Sequence, residues 1–325
     1  QRAMAFGMKL VAYDPFVSEE RARQLNVEML GLDDVVARSD FITLHLAKTP
    51  ETIGLINAEL LAKAKPTLRI VNVARGGIVN EDDLRPDLVV ITEPTSLRIY
   101  RGHRGRMEME VHTSGVSCHG SAPERGDNAV YKMAGIIAEI EQLNERLEPR
   151  DPLGKGTVTI SEIRSTSPSL CAVADGCTIH LDRRLTIDET EATSVAEIEA
   201  LPSVKAANAT VTVLDYDVPS YSGLSYPTRK YYPTWETQAD DPAVAGAIGA
   251  YRNAFDEEPE TGFWVFSTNG VAIAGMHGLP AIGFGPGHEH FAHAPNEQTE
   301  VEHLVRATAF YSALVDTFAN GANKQ

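Results

Sequence analysis

IGFGPGHEHFAHAPNEQTEVEH, from Ile282 to His303, is a glycine-broken loop that runs from an apolar strand into a helix. The apolar run at its start predicts a buried strand, and Gly285, Pro286 and Gly287 break that strand at its carboxyl end. Ligands of open α/β sheets gather outside the carboxyl ends of the strands. Four of the ten histidines of the chain lie in this stretch, so we expect a binding site there.

His293 is the strongest candidate in the stretch. Pro295 stiffens the turn that follows it, and Glu297 and Glu300 are close enough in sequence to orient an imidazole or to cap the next helix. A rigid histidine beside carboxylates is typical of a metal site. A polar loop whose histidines are only solvated explains this composition equally well, so other parts of the chain must decide.

The composition of the 325 residues is that of an ordinary globular protein, with 43% hydrophobic residues. The chain has a net charge of -16 and an isoelectric point near 5.1, so it should repel the phosphates of nucleic acids and of anionic membranes. We therefore expect a small-molecule substrate and neither nucleic acid nor a membrane as partner. The three cysteines form no CxxC pair, and no signal peptide or bilayer-spanning run is present, which predicts a cytoplasmic location.

Short strands alternate with helices over residues 7 to 84, which predicts a parallel, doubly wound sheet. Asp14 follows the first strand, at the position where a carboxylate accepts hydrogen bonds from the ribose of a dinucleotide. An Asp-Pro turn that only ends the strand is the alternative. Arg75 lies on a glycine turn after the last strand of this segment, where a guanidinium suits bidentate pairing with a substrate carboxylate.

Three motifs carry a family resemblance in this segment: AYDPF at 12–16, LHLAKTPET at 44–52 and NVARGGIVNEDDL at 72–84. Residues 1 to 84 resemble the NAD-binding domain of D-3-phosphoglycerate dehydrogenase and the other D-isomer-specific 2-hydroxy-acid dehydrogenases. The resemblance implies that Asp14 binds the NAD ribose and that Arg75 holds the substrate carboxylate. It also implies that Val73 and Ala74 line the cofactor.

The same family has parts that this sequence does not match. Its glycine-rich phosphate loop should lie just ahead of Gln1, and its catalytic glutamate and histidine should lie beyond Leu84. Without them, the pyrophosphate lacks its glycine turn and helix amino terminus, and hydride transfer lacks its acid. We therefore expect only weak NAD binding.

The pattern changes after residue 84. An apolar strand over residues 88 to 92 leads to Glu93, where a carboxylate suits zinc or manganese, although an acid that faces water is the commoner case. Residues 97 to 216 follow the order β-α-β-β-α-β of a ferredoxin-like split unit. His119 lies where the first strand of that unit leaves for the helix, and it is either an oxyanion donor or a hydrogen-bonded loop histidine.

Further motifs occur in one family's order: ITEPT at 91–95, VSCHGSAPERGDNAV at 116–130, LDRRLTIDET at 181–190, FSTNG at 266–270 and HFAHAPNE at 290–297. By these motifs, residues 88 to 325 resemble the dinuclear-zinc aminoacylase and carboxypeptidase family, which includes acetylornithine deacetylase. The resemblance implies that Glu93 and His293 bind zinc, or manganese or cobalt in its place. It implies that His119 polarises the scissile carbonyl in a partner subunit's site. It further implies an N-acyl amino acid or peptide substrate and a homodimer formed through the lid.

That family's HxD ligand motif, bridging aspartate and Glu-Glu pair should precede Glu93, where this chain has the dehydrogenase-like segment. We therefore expect a metal-dependent amide-bond hydrolase of the aminoacylase or peptidase type, impaired because the upstream ligands and the general base are missing. One alternative is an NAD-dependent 2-hydroxy-acid dehydrogenase fragment. The other is a non-catalytic dimerising module.

The expected fold is α/β, a parallel doubly wound sheet with an inserted ferredoxin-like α+β lid that serves dimerisation. Residues 1–84 should form a partial dinucleotide-binding segment and residues 97–216 the lid. Residues 85–96 and 217–325 should form the hydrolase part. We also expect the strands near Ile70 and Leu88 to be neighbours in one continued sheet.

Overall fold

The structure is a computed structural model, and it describes residues 2–74, 76–80, 82–84, 86–219, 223, 225 and 227–321. The chain divides into two compact units, Gln1–Arg85 and Pro86–Gln325. Within the described ranges, every helix is too short or too polar to span a bilayer.

The first unit contains short helices and strands. Its elements are α1 (Arg2–Ala5), β1 (Val11–Ala12), α2 (Glu19–Gln24), β2 (Glu28–Met29), α3 (Leu32–Arg38), β3 (Phe41–Leu44), α4 (Ala58–Leu61) and β4 (Arg69–Asn72). β1 pairs with β2 and β3 pairs with β4, both in parallel. In the described part of this unit, the predicted parallel strands thus form two separate pairs rather than one doubly wound sheet.

Burial explains why the pair of β3 and β4 stays small. Ile42 and Leu44 of β3 are buried against Leu60 of α4 and the fully buried Ile78, whereas Phe41 is 48% exposed. A strand inside a doubly wound sheet is covered on both faces. One face of this pair is covered and the other is open, which is the pattern of a half-buried sheet.

The second unit contains two larger sheets with helices on them. Its strands are β5 (Val89–Ile91), β6 (Ile99–His103), β7 (Gly105–Ser114), β8 (Pro149–Arg150), β9 (Gly154–Lys155), β10 (Thr157–Thr166), β11 (Gly176–Leu185), β12 (Thr210–Val213), β13 (Asp215–Tyr216), β14 (Thr228–Arg229), β15 (Tyr231–Tyr232), β16 (Trp235–Glu236), β17 (Thr261–Trp264) and β18 (Ala281–Gly283). Its helices are α5 (Ala129–Arg146), α6 (Glu191–Glu199), α7 (Pro202–Ala206), α8 (Pro242–Phe255) and α9 (Val301–Gly321).

The first of these sheets is antiparallel, with the strand order β10-β11-β7-β12, and β15 also pairs with β7. α5 lies on it because Met133, Ile136 and Ile140, which are three and four residues apart, are all buried in the same core. Asn128 caps α5 by accepting the N–H of Val130 at 2.9 Å. Periodicity and a cap residue thus explain why this stretch is a long helix.

The second sheet has the order β16-β6-β18-β5, and β17 pairs with β6. β5 pairs with β18 in parallel. Phe284, just after β18, stacks on Phe310 of α9 with ring centroids 3.8 Å apart, and Val244 of α8 lies in the same core. β4 belongs to another sheet, so the expected continued sheet through Ile70 and Leu88 was wrong. The two strands pack on different cores: Ile70 packs on the core that contains Ile42, whereas Leu88 packs on the core that contains Phe284.

Candidate functional site

The parallel pairing of β5 and β18 brings their carboxyl ends to one edge of the second sheet. Thr92 and Glu93 leave β5 there, and Gly285 follows β18. The two backbones are so close that a Cβ on Gly285 would lie 2.2 Å from the carbonyl oxygen of Glu93. Only glycine tolerates such a close approach. The glycine break in the sequence therefore marks the point where the two loops meet.

Hydrogen bonds fasten these two loops to each other. The Gly285 N–H donates to Oγ1 of the buried Thr95 at 3.1 Å, and the Ser96 N–H donates to the carbonyl of Gly287 at 2.9 Å. The fully buried Trp264 donates from Nε1 to the carbonyl of Pro94 at 2.9 Å. Ser96 has φ +56°, a left-handed conformation that costs free energy unless contacts hold it. These bonds supply such contacts and fix the edge.

The predicted metal ligands Glu93 and His293 both have exposed side chains. His293 has φ +60°, and its N–H donates to Oε2 of Glu297 at 3.2 Å, so Glu297 holds the backbone of the turn. Among the described residues, neither Glu93 nor His293 belongs to a group of three ligand atoms that lie within 4.8 Å of one another. Their assignment as metal ligands stays a prediction.

His288, Glu300 and His303 do form such a group. Nε2 of His288 lies 3.5 Å from Oε1 of Glu300, and Nε2 of His303 lies 3.9 Å from Oε2 of the same carboxylate. Nδ1 of His288 lies 2.8 Å from Oγ of Ser96, and Nδ1 of His303 accepts the N–H of Gly287 at 3.0 Å. Glu300 therefore lies between two histidines other than His293, which it was expected to orient.

Tyr100 of β6 fixes the residue after His288. Its hydroxyl donates to the carboxylate of Glu289, and its ring packs edge-on against Trp264 with centroids 5.1 Å apart. Burial, and then the hydrogen bond and charge of Glu289, raise the pKa of the Tyr100 hydroxyl above its ordinary value. The hydroxyl therefore stays a donor at every physiological pH, and it anchors the turn that begins at Glu289.

A buried histidine lies at the end of the same strand. His103 is fully buried, and its Nε2 has no partner in the part of the chain that the structure describes. Its Nδ1 lies 2.9 Å from the backbone nitrogen of Thr268 and 3.1 Å from the carbonyl of Phe266. Burial lowers the pKa of His103 to about 4. Burial disfavours the charged ring, so the ring is neutral and structural.

His119, the predicted oxyanion donor, lies on the loop after β7 and is exposed. Its Nδ1 accepts the N–H of Ser121 at 3.1 Å and lies 2.8 Å from the hydroxyl of the same residue. A bridge to Ala172 holds its backbone. Because Nδ1 accepts a hydrogen bond, the neutral ring carries its proton on Nε2.

Three candidates of the first unit, Asp14, Val73 and Ala74, lie in exposed or half-exposed positions. Asp14 is exposed, and its Oδ1 accepts the N–H of Phe16 at 2.9 Å, so the carboxylate closes the Asp-Pro turn. Val73 is 58% exposed, and the half-buried Ala74 donates its N–H to Oδ1 of Asn72 at 3.0 Å. Arg75 lies outside the described residues.

Sequence reasoning missed several contacts at the sheet edge. It did not assign roles to Ser96 and Tyr100, because nothing in the local sequence shows that they contact His288 and Glu289. The histidine-rich stretch itself was the usable signal. Counting every histidine and carboxylate in it, rather than those next to His293, would have included the group that the structure forms.

Two family models match the chain. Residues 1–88 match the NAD-binding domain of the D-isomer specific 2-hydroxyacid dehydrogenases, and residues 101–210 match the peptidase dimerisation domain. The two matches are consecutive along the chain. They correspond to the two family resemblances of the sequence.

Individual proteins show the same division. The uncharacterized protein YgeY of Escherichia coli (strain K12) is 53% identical over 237 residues, which are 73% of this chain and 59% of that protein. D-3-phosphoglycerate dehydrogenase of Mycobacterium tuberculosis (strain ATCC 25618 / H37Rv) is 63% identical over 81 residues, 25% of this chain and 15% of that protein. The crystal structure of a tripeptidase from Staphylococcus aureus subsp. aureus mu50 matches 76% of this chain and 63% of that chain, with TM-score 0.57 and 18% identity.

The chain spans less than two thirds of the length of each of these three proteins. The likeness to the tripeptidase, at 18% identity, is one of fold. The mixed α/β structure of the second unit agrees with that likeness. The chain therefore joins a segment that resembles the NAD-binding domain of D-3-phosphoglycerate dehydrogenase and its family to a segment that resembles the dinuclear-zinc aminoacylase and carboxypeptidase family.

Proposed function

We propose that the second unit is the metal-dependent amide-bond hydrolase part of this chain, of the peptidase or aminoacylase type, and that its turnover is impaired. The observation that carries the proposal is the sheet edge, where the backbone at Glu93 contacts the loop that leads to His293. Ligand sites of α/β proteins form at such edges. The substrate is a small N-acyl amino acid or peptide, and the location is cytoplasmic.

Glu93 and His293 would hold the metal, which is zinc or, in its place, manganese or cobalt. A carboxylate and an imidazole are suitable ligands for these ions, and both side chains are exposed. Bound zinc would polarise a carbonyl and lower the pKa of a water. The pair is two ligands where catalytic zinc sites have at least three from protein, so the fit is partial and we expect weak binding.

His119 would act as a donor to the oxyanion in a partner subunit's site. The Ser121 N–H bonded to its Nδ1 keeps the ring proton on Nε2, which is the form that donates. The arrangement of domains is part of the same proposal. Residues 97–216 form a ferredoxin-like lid and dimerise the chain, and residues 85–96 and 217–325 form the doubly wound hydrolase part. The antiparallel sheet β10-β11-β7-β12 supports a separate lid. The boundary at residue 97 disagrees with the sheets, because β6 pairs with β16, β17 and β18 of the hydrolase part.

The test compares zinc binding and hydrolysis in the full chain and in His293→Ala, with His290→Ala as the control from the same loop. We expect slow hydrolysis of N-acetylated amino acids or tripeptides that requires added zinc, is lost in His293→Ala and is kept in His290→Ala. Hydrolysis that survives both His293→Ala and Glu93→Ala would refute the assignment. A dimer without any hydrolysis would favour a non-catalytic dimerising module.

The first unit favours a second candidate function, the binding of NAD. The match of residues 1–88 to an NAD-binding domain supports it, and Asp14 follows the parallel strand β1 as a ribose ligand would. Val73, Ala74 and Arg75 would line the cofactor and hold a substrate carboxylate. Saturable NADH fluorescence that Asp14→Ala abolishes is the expected result. Equal binding by Asp14→Ala would contradict this role.

A further inference from the structure

Three potential metal ligands converge after β18, and all are residues other than Glu93 and His293. His288 follows the glycine break, and Glu300 and His303 lie at the start of α9. One ligand atom from each lies within 4.8 Å of the other two. We propose that His288, Glu300 and His303 bind a divalent cation of the zinc class.

The distances between the potential ligand atoms are similar to those between the ligands of one zinc ion. Ligand atoms that are 2.0–2.1 Å from a tetrahedral zinc ion lie about 3.4 Å from one another. The Glu300 carboxylate oxygens lie 3.5 Å from Nε2 of His288 and 3.9 Å from Nε2 of His303. A direct N–H to O hydrogen bond would be 2.7–3.2 Å long. The carboxylate is thus close enough to share an ion with both rings, and it is hydrogen-bonded to neither of them.

His288 is already oriented for this role. Its Nδ1 lies 2.8 Å from the hydroxyl of Ser96, whose left-handed backbone is fixed by the loop contacts. If Nδ1 donates to that hydroxyl, Nε2 presents its lone pair towards Glu300. Histidine ligands of metals usually have such a partner on the second nitrogen. His288 is about one-third exposed and Glu300 is 66% exposed, so an ion and its water can reach the group.

His303 must change its tautomer to take part. Its Nδ1 accepts the Gly287 N–H, so the proton of the neutral ring is on Nε2. Coordination through Nε2 moves that proton to Nδ1, and the Gly287 bond is lost. Zinc binding should therefore speed hydrogen exchange at the Gly287 amide. An ion that touches only exposed Glu300 would leave this amide protected.

The types of ligand indicate which ions this group would bind. Two imidazoles and one carboxylate suit zinc, and also cobalt, nickel or copper, whereas magnesium and calcium prefer oxygen ligands. Three protein ligands leave a fourth position of a tetrahedral ion open to water. This inference does not depend on the proposed hydrolase activity.

The experiment titrates the full chain with zinc alone, in a Glu93→Ala/His293→Ala background that lacks the other proposed ligands. We expect one saturable zinc per chain in that background. His288→Ala and His303→Ala should each weaken binding by about tenfold or more, because even loss of a second-layer partner of a metal ligand costs 10–100-fold. His290→Ala is the matched control, since its ring stacks 5.5 Å from that of His288 without belonging to the group.

Absence of saturable binding in that background would overturn the inference. Equal affinity in His288→Ala, His303→Ala and His290→Ala would also overturn it. Circular dichroism without zinc checks that each variant is folded, and exchange at Gly287 tests the tautomer change separately. Hydrolysis assays of the His293→Ala variant report on the proposed function alone, so failure of one proposal is distinguishable from failure of the other.

Discussion

Acid should destabilise the second unit through His103, and His103→Leu should remove that effect. The pKa of the ring is lowered from 6.5 to about 4 by burial. Between these two values the unfolded chain binds a proton that the folded chain does not bind, so the free energy of unfolding falls as the pH falls. From pH 7 to pH 5, the free energy of unfolding should therefore fall by about 2 kcal/mol.

Tryptophan fluorescence can follow this unfolding in denaturant, because both tryptophans of the chain, Trp235 and Trp264, lie in the second unit. The Trp235 ring lies 5.7 Å from that of His103. At pH 7 the native chain should be more stable than His103→Leu, since leucine cannot accept the Thr268 N–H. At pH 5 this advantage should shrink by about 2 kcal/mol. An advantage that is constant from pH 7 to pH 5 would refute the argument from burial.

Other substitutions test the loops and the antiparallel sheet of the second unit. Gly285→Ala should lower the free energy of unfolding by about 1–3 kcal/mol or more, because the added Cβ would overlap the backbone of Glu93. Gly249→Ala in α8 has open space around it, so it should leave the stability unchanged or raise it in the same fluorescence experiment. Ser96→Ala should weaken zinc binding about 10–100-fold in a titration by releasing the His288 ring, and unchanged affinity would contradict this. Arg183→Met should lower the free energy of unfolding by about 1–3 kcal/mol, because the half-buried carboxylates of Glu189 and Glu197 lose their guanidinium partner. Arg164→Met at the exposed surface should lower it by less than about 1 kcal/mol in a calorimetric comparison.

Local signals in the sequence predicted the elements around the site. The apolar run before Gly285 is strand β18, and the glycine break coincides with the contact between two loops. Asn128, followed by apolar residues at helical spacing, is the capped start of α5. These features depend on a few neighbouring residues, so a single sequence contains them.

Contacts between distant residues could not be predicted in the same way. The pairing of β5 with β18 joins residues about 190 positions apart, and the sequence suggested a neighbour for β5 among the preceding strands instead. Glu300 was assigned to His293 because the two are close in sequence. The structure places it beside His288 and His303, because the chain after β18 returns His288 to the start of α9, where His303 lies.

We have proposed that the loops after β5 and β18 form a binding edge for divalent cations. The most direct test is a crystal of the full chain grown with zinc, with anomalous scattering recorded on both sides of the zinc absorption edge. We expect a zinc peak about 2 Å from Nε2 of His288 and from a carboxylate oxygen of Glu300. Zinc peaks found only outside these two loops, or no peak at all, would contradict the proposed binding edge.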